Sequence, residues 1–157
     1  ASAVICAKAG ASVTLVGRSL EKAEKIAGIC NDRYDSKNVK GGADADKSDF
    51  FNAADIVLNT GAAGIQLMSE EHIKNSNTLK ICADTNAVPP SGIAGVDVMD
   101  NGKVIDMSPS KCLGIGALAI GNIKYKSQHE CLKLMYSSEK PVYLDFEDAF
   151  KFAQKSV

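Results

Sequence analysis

The sequence predicts an α/β fold, with helices on both faces of a doubly wound parallel sheet. Short apolar, β-branched segments alternate with longer segments whose apolar residues recur at helical spacing. Glycine-rich or polar turns follow the strand-like segments directly. This alternation is typical of parallel βαβ units, whose ligand sites lie at the carboxyl ends of the strands. A chain of 157 residues suits one domain, which we predict over residues 1–157.

The composition narrows the classes of partner. Hydrophobic residues make up 45% of the chain, charged residues 24%, and the net charge is −1, so no basic surplus points to nucleic acid. No apolar run reaches the roughly 20 residues that a membrane span needs. The five cysteines are odd in number and lack a CxxC pair, so we expect neither disulfides nor a metal site. We expect a cytoplasmic protein without membrane partners.

The first third of the chain predicts a helix, strand, helix succession. Residues 1–9 have the apolar face of a helix end, and Gly10 stands where a C-cap glycine belongs. We therefore expect the chain to begin inside the first helix of the fold, without the strand and glycine loop that precede it. The further predictions are a strand at 12–16, a helix at 20–34, a strand and turn at 37–42, and a short helix at 48–53.

The remainder continues the alternation. Ser69 is a plausible N-cap for a helix that runs to Lys74, because Glu70 and Glu71 then lie at its positive end. The other predictions are strands at 55–59 and 79–83, loops at 60–64 and 86–95, a hairpin at 96–107 around residues 100–103, a long helix at 114–135, a last strand at 142–144 and a last helix at 146–154.

The sharpest chemical signal is Gly17-Arg18-Ser19 at the end of the strand at 12–16, with Lys22 one turn into the next helix. In a dinucleotide-binding fold the adenosine ribose lies here. NAD enzymes usually place a carboxylate at this point, whereas the 2′-phosphate of NADP needs a cation. Arg18 can bind phosphate oxygens in a bidentate manner, Ser19 can donate a hydrogen bond, and Lys22 adds a charge. The alternative is an ordinary solvated helix start.

Two other strand ends carry candidate cofactor-binding residues. Thr60, Gly61 and Ala62 follow the strand at 55–59, and their small size would let the backbone approach a bulky ligand. Asp84 and Asn86 end the strand at 79–83, before the paired prolines that stiffen the next loop. Both groups are also common as purely structural turns.

The chain resembles the NADP-dependent methylenetetrahydromethanopterin dehydrogenases of one-carbon metabolism. The segments that carry the resemblance are, in order, GASVTLVGRSLEKAE, ADIVLNTGAAGIQLM, ADTNAVPPSGIAGVDVMDNGK, GIGALAIGNIKYKSQHECLKLM and VYLDFEDAFKFA. The most specific is the run from Asp84 through Pro89-Pro90 to Gly95. The GRS segment also occurs in shikimate dehydrogenases and other NADP-binding relatives. Where the family usually has two glycines before its paired lysines, this chain has Gly121-Asn122.

The resemblance implies a Rossmann domain, incomplete at its amino terminus, that binds NADP beside a pterin-binding domain. The implied reaction is hydride transfer between the methylene carbon of a tetrahydropterin one-carbon carrier and NADP, with methylenetetrahydromethanopterin or methylenetetrahydrofolate as the substrate. It also implies a homo-oligomer. Arg18, Ser19 and Lys22 would hold the 2′-phosphate, Thr60, Gly61 and Ala62 would line the ribose and nicotinamide, and Asp84 and Asn86 would lie near the ring junction. Lys124 or Lys126 would touch the pterin.

Two alternatives stay open. One is another NADP-dependent Rossmann dehydrogenase with a shikimate-type or folate-type substrate. The other is a nucleotide-binding module without catalytic activity, which a native protein that lacked the glycine loop would favour.

Overall fold

A computed structural model describes residues 1–156 and divides the chain into two compact units, residues 1–50 and 51–157. Both units combine helices with parallel strands, so the predicted α/β class is confirmed. Among the described residues, no helix is long and apolar enough to cross a bilayer. All five cysteines are free thiols, as predicted.

The first unit holds a two-stranded parallel sheet. Its elements are α1 (Ser2–Lys8), β1 (Val13–Gly17), α2 (Leu20–Tyr34), β2 (Val39–Ala43) and a 3-10 turn (Asp44–Asp46), and α3 (Lys47–Ala53) starts at its end. In the sheet, Val13 lies opposite Val39 and Gly17 opposite Ala43. Gly10 follows α1 at φ +94°, in agreement with the predicted C-cap glycine.

Helix α2 packs on β2 through small residues. Ala23, Ala27 and Cys30 recur at helical spacing and are all buried, whereas the opposite face of α2 is charged. Asn31 links the helix to the strand, since its Nδ2 donates to the carbonyl of Val39 at 2.8 Å and its Oδ1 accepts from the Val39 amide at 3.2 Å. These contacts fix α2, and with it the first turn of α2, against the sheet.

The second unit holds a four-stranded sheet of order β3-β4-β6-β5. Its elements are β3 (Ile56–Asn59), α4 (Glu70–Asn75), β4 (Ile81–Asp84), β5 (Asn101–Val104), β6 (Leu113–Ile115), α5 (Ala117–Ser137) and α6 (Phe146–Gln154). β3, β4 and β6 are parallel, and β5 is antiparallel to β6. The buried core beside this sheet consists of Met68, Ile73, Leu79, Cys82, Ile93, Val96, Ile105 and Cys112.

Three predicted elements are corrected by the structure. The predicted helix at 114–135 begins later, at Ala117, because residues 113–115 form the unpredicted strand β6. The hairpin does not turn at 100–103; residues 101–103 belong to β5, which pairs with β6 through a bulge between Asn101 and Lys103. The predicted strand at 142–144 is irregular chain. The remaining predicted helices and strands are present, with ends displaced by about one or two residues.

Candidate functional site

A cleft of about 600 Å³ opens in the first unit, where β1 ends and α2 begins. Its lining contains all three residues that the sequence predicts for the 2′-phosphate of NADP. The residues around it are Leu15, Val16, Gly17, Arg18, Ser19, Lys22, Ala23 and Ile26. The predicted grouping of Arg18, Ser19 and Lys22 at one strand end is therefore observed.

The polar groups of this cleft are available to a ligand. Arg18 and Lys22 are exposed, and within residues 1–156 neither side chain makes an ion pair. Ser19 is the N-cap of α2 and accepts a hydrogen bond from the Lys22 amide at 3.4 Å, which leaves its hydroxyl proton free to donate. A guanidinium, a hydroxyl and an ammonium at the positive end of a helix form a donor set that suits a phosphate monoester.

The candidate residues of the second unit lie at the ends of β3 and β4. These neighbouring strands are parallel, and Asn59 stands directly opposite Asp84 in their register. Thr60, Gly61 and Ala62 follow β3 and are exposed, whereas Asp84 and Asn86 are 2% and 5% exposed. The first group can thus meet a ligand directly, while the second lies beneath the surface.

Asp84 uses both of its carboxyl oxygens inside the protein. Oδ1 accepts from Asn59 Nδ2 at 2.8 Å and from the Asn86 amide at 2.9 Å, and Oδ2 accepts from the Ile93 amide at 3.0 Å. A buried carboxyl group that accepts three hydrogen bonds from the protein holds those protein groups in place rather than a ligand. The predicted position of Asp84 near the ring junction of the cofactor stays a prediction. Because the side chain is buried, we expect it to act on the cofactor through the loops that it binds and not by direct contact.

Asn86 connects the loop after β3 with the loop after β4. Its Oδ1 accepts from the Val88 amide at 2.9 Å and from the Gly64 amide at 3.3 Å, and its Nδ2 donates to the Pro90 carbonyl at 2.9 Å. One side chain therefore ties the loop after β3 to the loop after β4. The Pro89–Pro90 peptide bond in the second loop is cis.

The sequence interpretation missed Asn59, which completes this arrangement. Asn59 is 5% exposed, and its Oδ1 accepts from the Gly61 amide at 2.9 Å while its Nδ2 binds Asp84. The signal was available, because Asn59 ends its strand as Asp84 ends the next, and parallel strands end at one edge of a sheet. Gly92 was missed as well, since its need for a small residue follows only from the packing around it.

A second opening, of about 390 Å³, lies between α5 and α6 and contains one of the two candidate lysines. Lys126 lines it and Lys124 does not, because two positions along a helix are about 200° apart around its axis. Tyr125 stacks on His129 there, with ring centroids 6.2 Å apart. The Glu130 carboxylate is paired with Lys133 at 2.8 Å, and the hydrogen bond from Lys133 lowers the pKa of Glu130. With Glu130 paired, Lys126 and Lys155 give the lining of the opening its positive charge.

The buried thiols beside the sheet have no place in this chemistry. Burial raises the pKa of Cys82 and of Cys112, so both remain protonated near neutral pH. Across residues 1–156, no cluster of histidine, cysteine and carboxylate side chains has the grouping of a metal site.

No protein-family model matches the chain. Among curated proteins, it is 38% identical over 155 residues to the NAD(P)-dependent methylenetetrahydromethanopterin dehydrogenase of Methylorubrum extorquens, which is 97% of this chain and 52% of that protein. It is also 34% identical over 149 residues to the bifunctional protein MdtA of the same organism, or 93% of this chain and 50% of that protein. The chain thus spans about half the length of these relatives. The resemblance is confirmed: over nearly its whole length the chain is similar to an NAD(P)-dependent methylenetetrahydromethanopterin dehydrogenase.

Proposed function

We propose that this chain is the NADP-binding part of a dehydrogenase that acts on a methylene-tetrahydropterin. The reaction is reversible hydride transfer between the methylene carbon of the one-carbon carrier and NADP. The observation that carries the proposal is the cleft at the start of α2, where Arg18, Ser19 and Lys22 meet and where, within the described part of the chain, neither cation forms an ion pair. The similarity to an NAD(P)-dependent methylenetetrahydromethanopterin dehydrogenase supports the substrate class.

The contribution of the chain is to bind and orient. NADP supplies the hydride acceptor when bound, and the substrate nitrogens stabilise the cationic methenyl product, so little acid or base catalysis is required. Arg18, Ser19 and Lys22 hold the adenosine phosphate. Thr60, Gly61 and Ala62, which are exposed after the end of β3, would line the ribose and nicotinamide.

The cofactor assignment is tested by calorimetric titration of NADP and NAD into the whole protein as its gene encodes it. Arg18→Ala removes a charge-assisted phosphate contact, so NADP binding should weaken by about 1.5–3 kcal/mol while NAD binding stays nearly unchanged. Arg33→Ala is the matched control. It removes the same charge from the last turn of the same helix, where Arg33 lies over the Tyr34 ring at 5.6 Å.

The control separates a specific contact from a general loss of positive charge. If both variants weaken NADP binding equally, Arg18 contributes only to the general positive potential of the protein and makes no specific contact with the phosphate. Equal affinities of the unaltered protein for NADP and NAD, unchanged by Arg18→Ala, would contradict the NADP assignment. Failure to bind either dinucleotide would favour the module without catalytic activity.

For the substrate side, we propose that Lys126 is the lysine that contacts the pterin or its tail. It lines the cationic opening between α5 and α6, whereas Lys124 points from another side of the helix. Lys126→Ala should raise the KM for the methylene-pterin and leave the KM for NADP unchanged. Lys124→Ala removes the same charge two residues away and should change neither value; the reverse pattern would assign the role to Lys124.

The homo-oligomer and the cytoplasmic location are proposed on family grounds. α5 supports the first, because Leu118, Tyr125, Leu132 and Tyr136 follow heptad-like spacing and are all more than half exposed. Sedimentation velocity on the whole protein tests the assembly, and a purely monomeric boundary at micromolar concentration would contradict it.

A further inference from the structure

We infer that Asn59, Asp84 and Asn86 are positioning residues that hold the two loops beside the nicotinamide half of the cofactor in one arrangement. We call these three side chains the strand-end clamp. The inference rests on the proposed function and deepens it. Asp84 and Asn86, predicted as ligand contacts, and Asn59, which was not predicted, would all act on the cofactor through the loop backbone that they bind.

Six of the seven hydrogen bonds of the clamp go to backbone groups of the two loops. Asn59 binds the amide of Gly61, and Asn86 binds the amide of Gly64, so two points of the first half of the loop after β3 are fixed by side chains. Asp84 binds the Ile93 amide at 3.0 Å, which fixes the middle of the loop after β4. Three buried side chains thus set the course of both loops.

The clamp determines which donors the loop after β3 leaves to a ligand. Within the described residues, the amides of Ala62 and Ala63 donate no hydrogen bond, and both residues are exposed. The amides of Gly61 and Gly64 on either side are already used by the clamp. Two adjacent backbone donors between two fixed points can meet an acceptor oxygen without rearrangement, which lowers the ordering cost of binding.

The packing around Gly92 indicates that the arrangement has little tolerance. A Cβ on Gly92 would stand 1.7 Å from Asn59 Nδ2 and 2.9 Å from Asp84 Oδ1. The loop after β4 therefore runs directly over the Asn59–Asp84 pair, with no room for a side chain between them. The pair supports the loop by contact as well as by hydrogen bonding.

The variant Asp84→Asn tests the clamp with almost no change in shape. An asparagine keeps one acceptor oxygen and turns the other into an NH₂ donor. The new NH₂ group faces the Ile93 amide in one orientation, and both Asn59 Nδ2 and the Asn86 amide in the other, so at least one donor now faces another donor. We expect the Kd for NADP and the Kd for NAD to rise by the same factor, on the order of tenfold, since both cofactors share the ribose-nicotinamide half.

This equal effect distinguishes the clamp from the phosphate cleft, where Arg18→Ala should weaken NADP alone. The two KM values should also respond differently. In Asp84→Asn the KM for the cofactor should rise, while the KM for the methylene-pterin stays within about twofold. A selective loss of NADP in Asp84→Asn would overturn the inference, as would unchanged affinity for both cofactors.

A matched control removes a buried polar group of the same unit outside the clamp. Ser108 is 6% exposed, and its Oγ accepts from the Cys112 amide at 3.2 Å. Ser108→Ala should lower the melting temperature without changing either Kd. Equal weakening of cofactor binding by Ser108→Ala and Asp84→Asn would show that loss of stability alone explains the effect, and would overturn the inference.

Hydrogen exchange on the protein without cofactor keeps the clamp separable from the proposed function. In Asp84→Asn, the amide of Ile93 should exchange at least tenfold faster, while the amide of Cys112 is unaffected. If the unaltered protein binds neither dinucleotide, the proposed function fails, while faster exchange of the Ile93 amide in Asp84→Asn would still show that the clamp supports the loop after β4. If it binds both and Ile93 exchange does not change, the clamp alone is wrong.

Discussion

Gly92 is the glycine at which an added Cβ would lie nearest to a neighbouring atom. Its missing side chain lets the loop after β4 lie on the Asn59–Asp84 pair, with a hypothetical Cβ at 1.7 Å from Asn59 Nδ2. A methyl group there has to displace a buried hydrogen-bonded amide rather than the flexible end of a long side chain. Sequence patterns alone cannot reveal this requirement, because the three residues are distant in the chain.

Gly92→Ala should lower the free energy of unfolding by about 1–3 kcal/mol, the usual cost of inserting a methyl group into a packed site. Gly121→Ala is the control in the same unit. No atom lies within 4 Å of a Cβ at Gly121, and alanine in a helix is favoured by about 0.5–1 kcal/mol over glycine. Urea denaturation followed by circular dichroism measures both; equal stability of the two variants would contradict the packing argument.

The cysteines should differ in reactivity according to burial. Burial raises the pKa of the Cys82 and Cys112 thiols, and neither side chain is exposed, so the reactive thiolate is scarce and hidden. Cys6 and Cys131 are only half-buried. At pH 8, iodoacetamide should modify Cys6 and Cys131 first, as followed by peptide mass spectrometry.

Denatured protein provides the reference, because all five thiols should then react at similar rates. Modification of Cys82 in the folded protein as fast as Cys131 would contradict the burial that the structure describes.

Helix α2 and strand β2 form the element pair on which the phosphate cleft depends. A Cβ on Gly41 of β2 would stand 2.4 Å from the backbone nitrogen of Glu24, so α2 lies directly on the strand backbone at this point. α2 also carries Ser19 at its N-cap and Lys22 in its first turn. The closeness of helix and strand therefore fixes the position of two of the three phosphate-binding candidates.

Gly41→Ala should push α2 away from β2, lower stability and weaken NADP binding by more than it weakens NAD binding. The obstacle is helix backbone, which cannot move aside without shifting the whole element. Gly28→Ala lies in α2 with open space around its Cβ and should leave NADP affinity unchanged. Calorimetric titration of both cofactors checks the pair, and an unaltered NADP affinity in Gly41→Ala would show that the cleft tolerates movement of α2.

The elements with strong periodicity or clear caps were predictable, and those without were not. α2 and α6 have the predicted bounds because Ser19 and Asp145 cap their first turns and their apolar residues recur at helical spacing. β6 is only three residues long, and its Gly114 resembles the small residues at the start of α5. Its strand character comes from pairing with β4 and β5, which no local pattern encodes. Residues 142–144 have β-branched and aromatic character but no strand partner.

The candidate site divides in the same way. Arg18, Ser19 and Lys22 were predictable because one strand end and one helix start bring them together within a few residues. The strand-end clamp joins residues 25 positions apart through the register of β3 and β4, so Asn59 was not predicted, and Asp84 and Asn86 were predicted as ligand contacts or, alternatively, as ordinary turns. Whether such a residue contacts the ligand or supports a loop depends on how deeply it is buried, and burial is known only once the chain has packed.

The two compact units differ in the kind of core that they contain. Apolar burial in residues 1–50 consists of small side chains, with Val4 and Val39 the largest, while Ile26 and Ile29 are 51% and 44% exposed. Residues 51–157 bury Met68, Ile73 and Leu79 completely. Since buried apolar area supplies most of the stability of a domain, the first unit should be the less stable of the two.

Amide hydrogen exchange should therefore be fastest in α1 and β1 and slowest in β4, whose Cys82 is completely buried. Because a ligand stabilises the state that binds it, saturating NADP should slow exchange in β1 and α2 by a factor that follows its concentration over Kd. NAD at the same multiple of its own Kd serves as the reference, since it lacks the phosphate that Arg18 and Lys22 would hold. If NADP protects only residues 51–157, the phosphate does not bind at the start of α2. If amide exchange in the ligand-free protein is equally fast in both units, the difference between their cores does not determine how readily each unit unfolds locally.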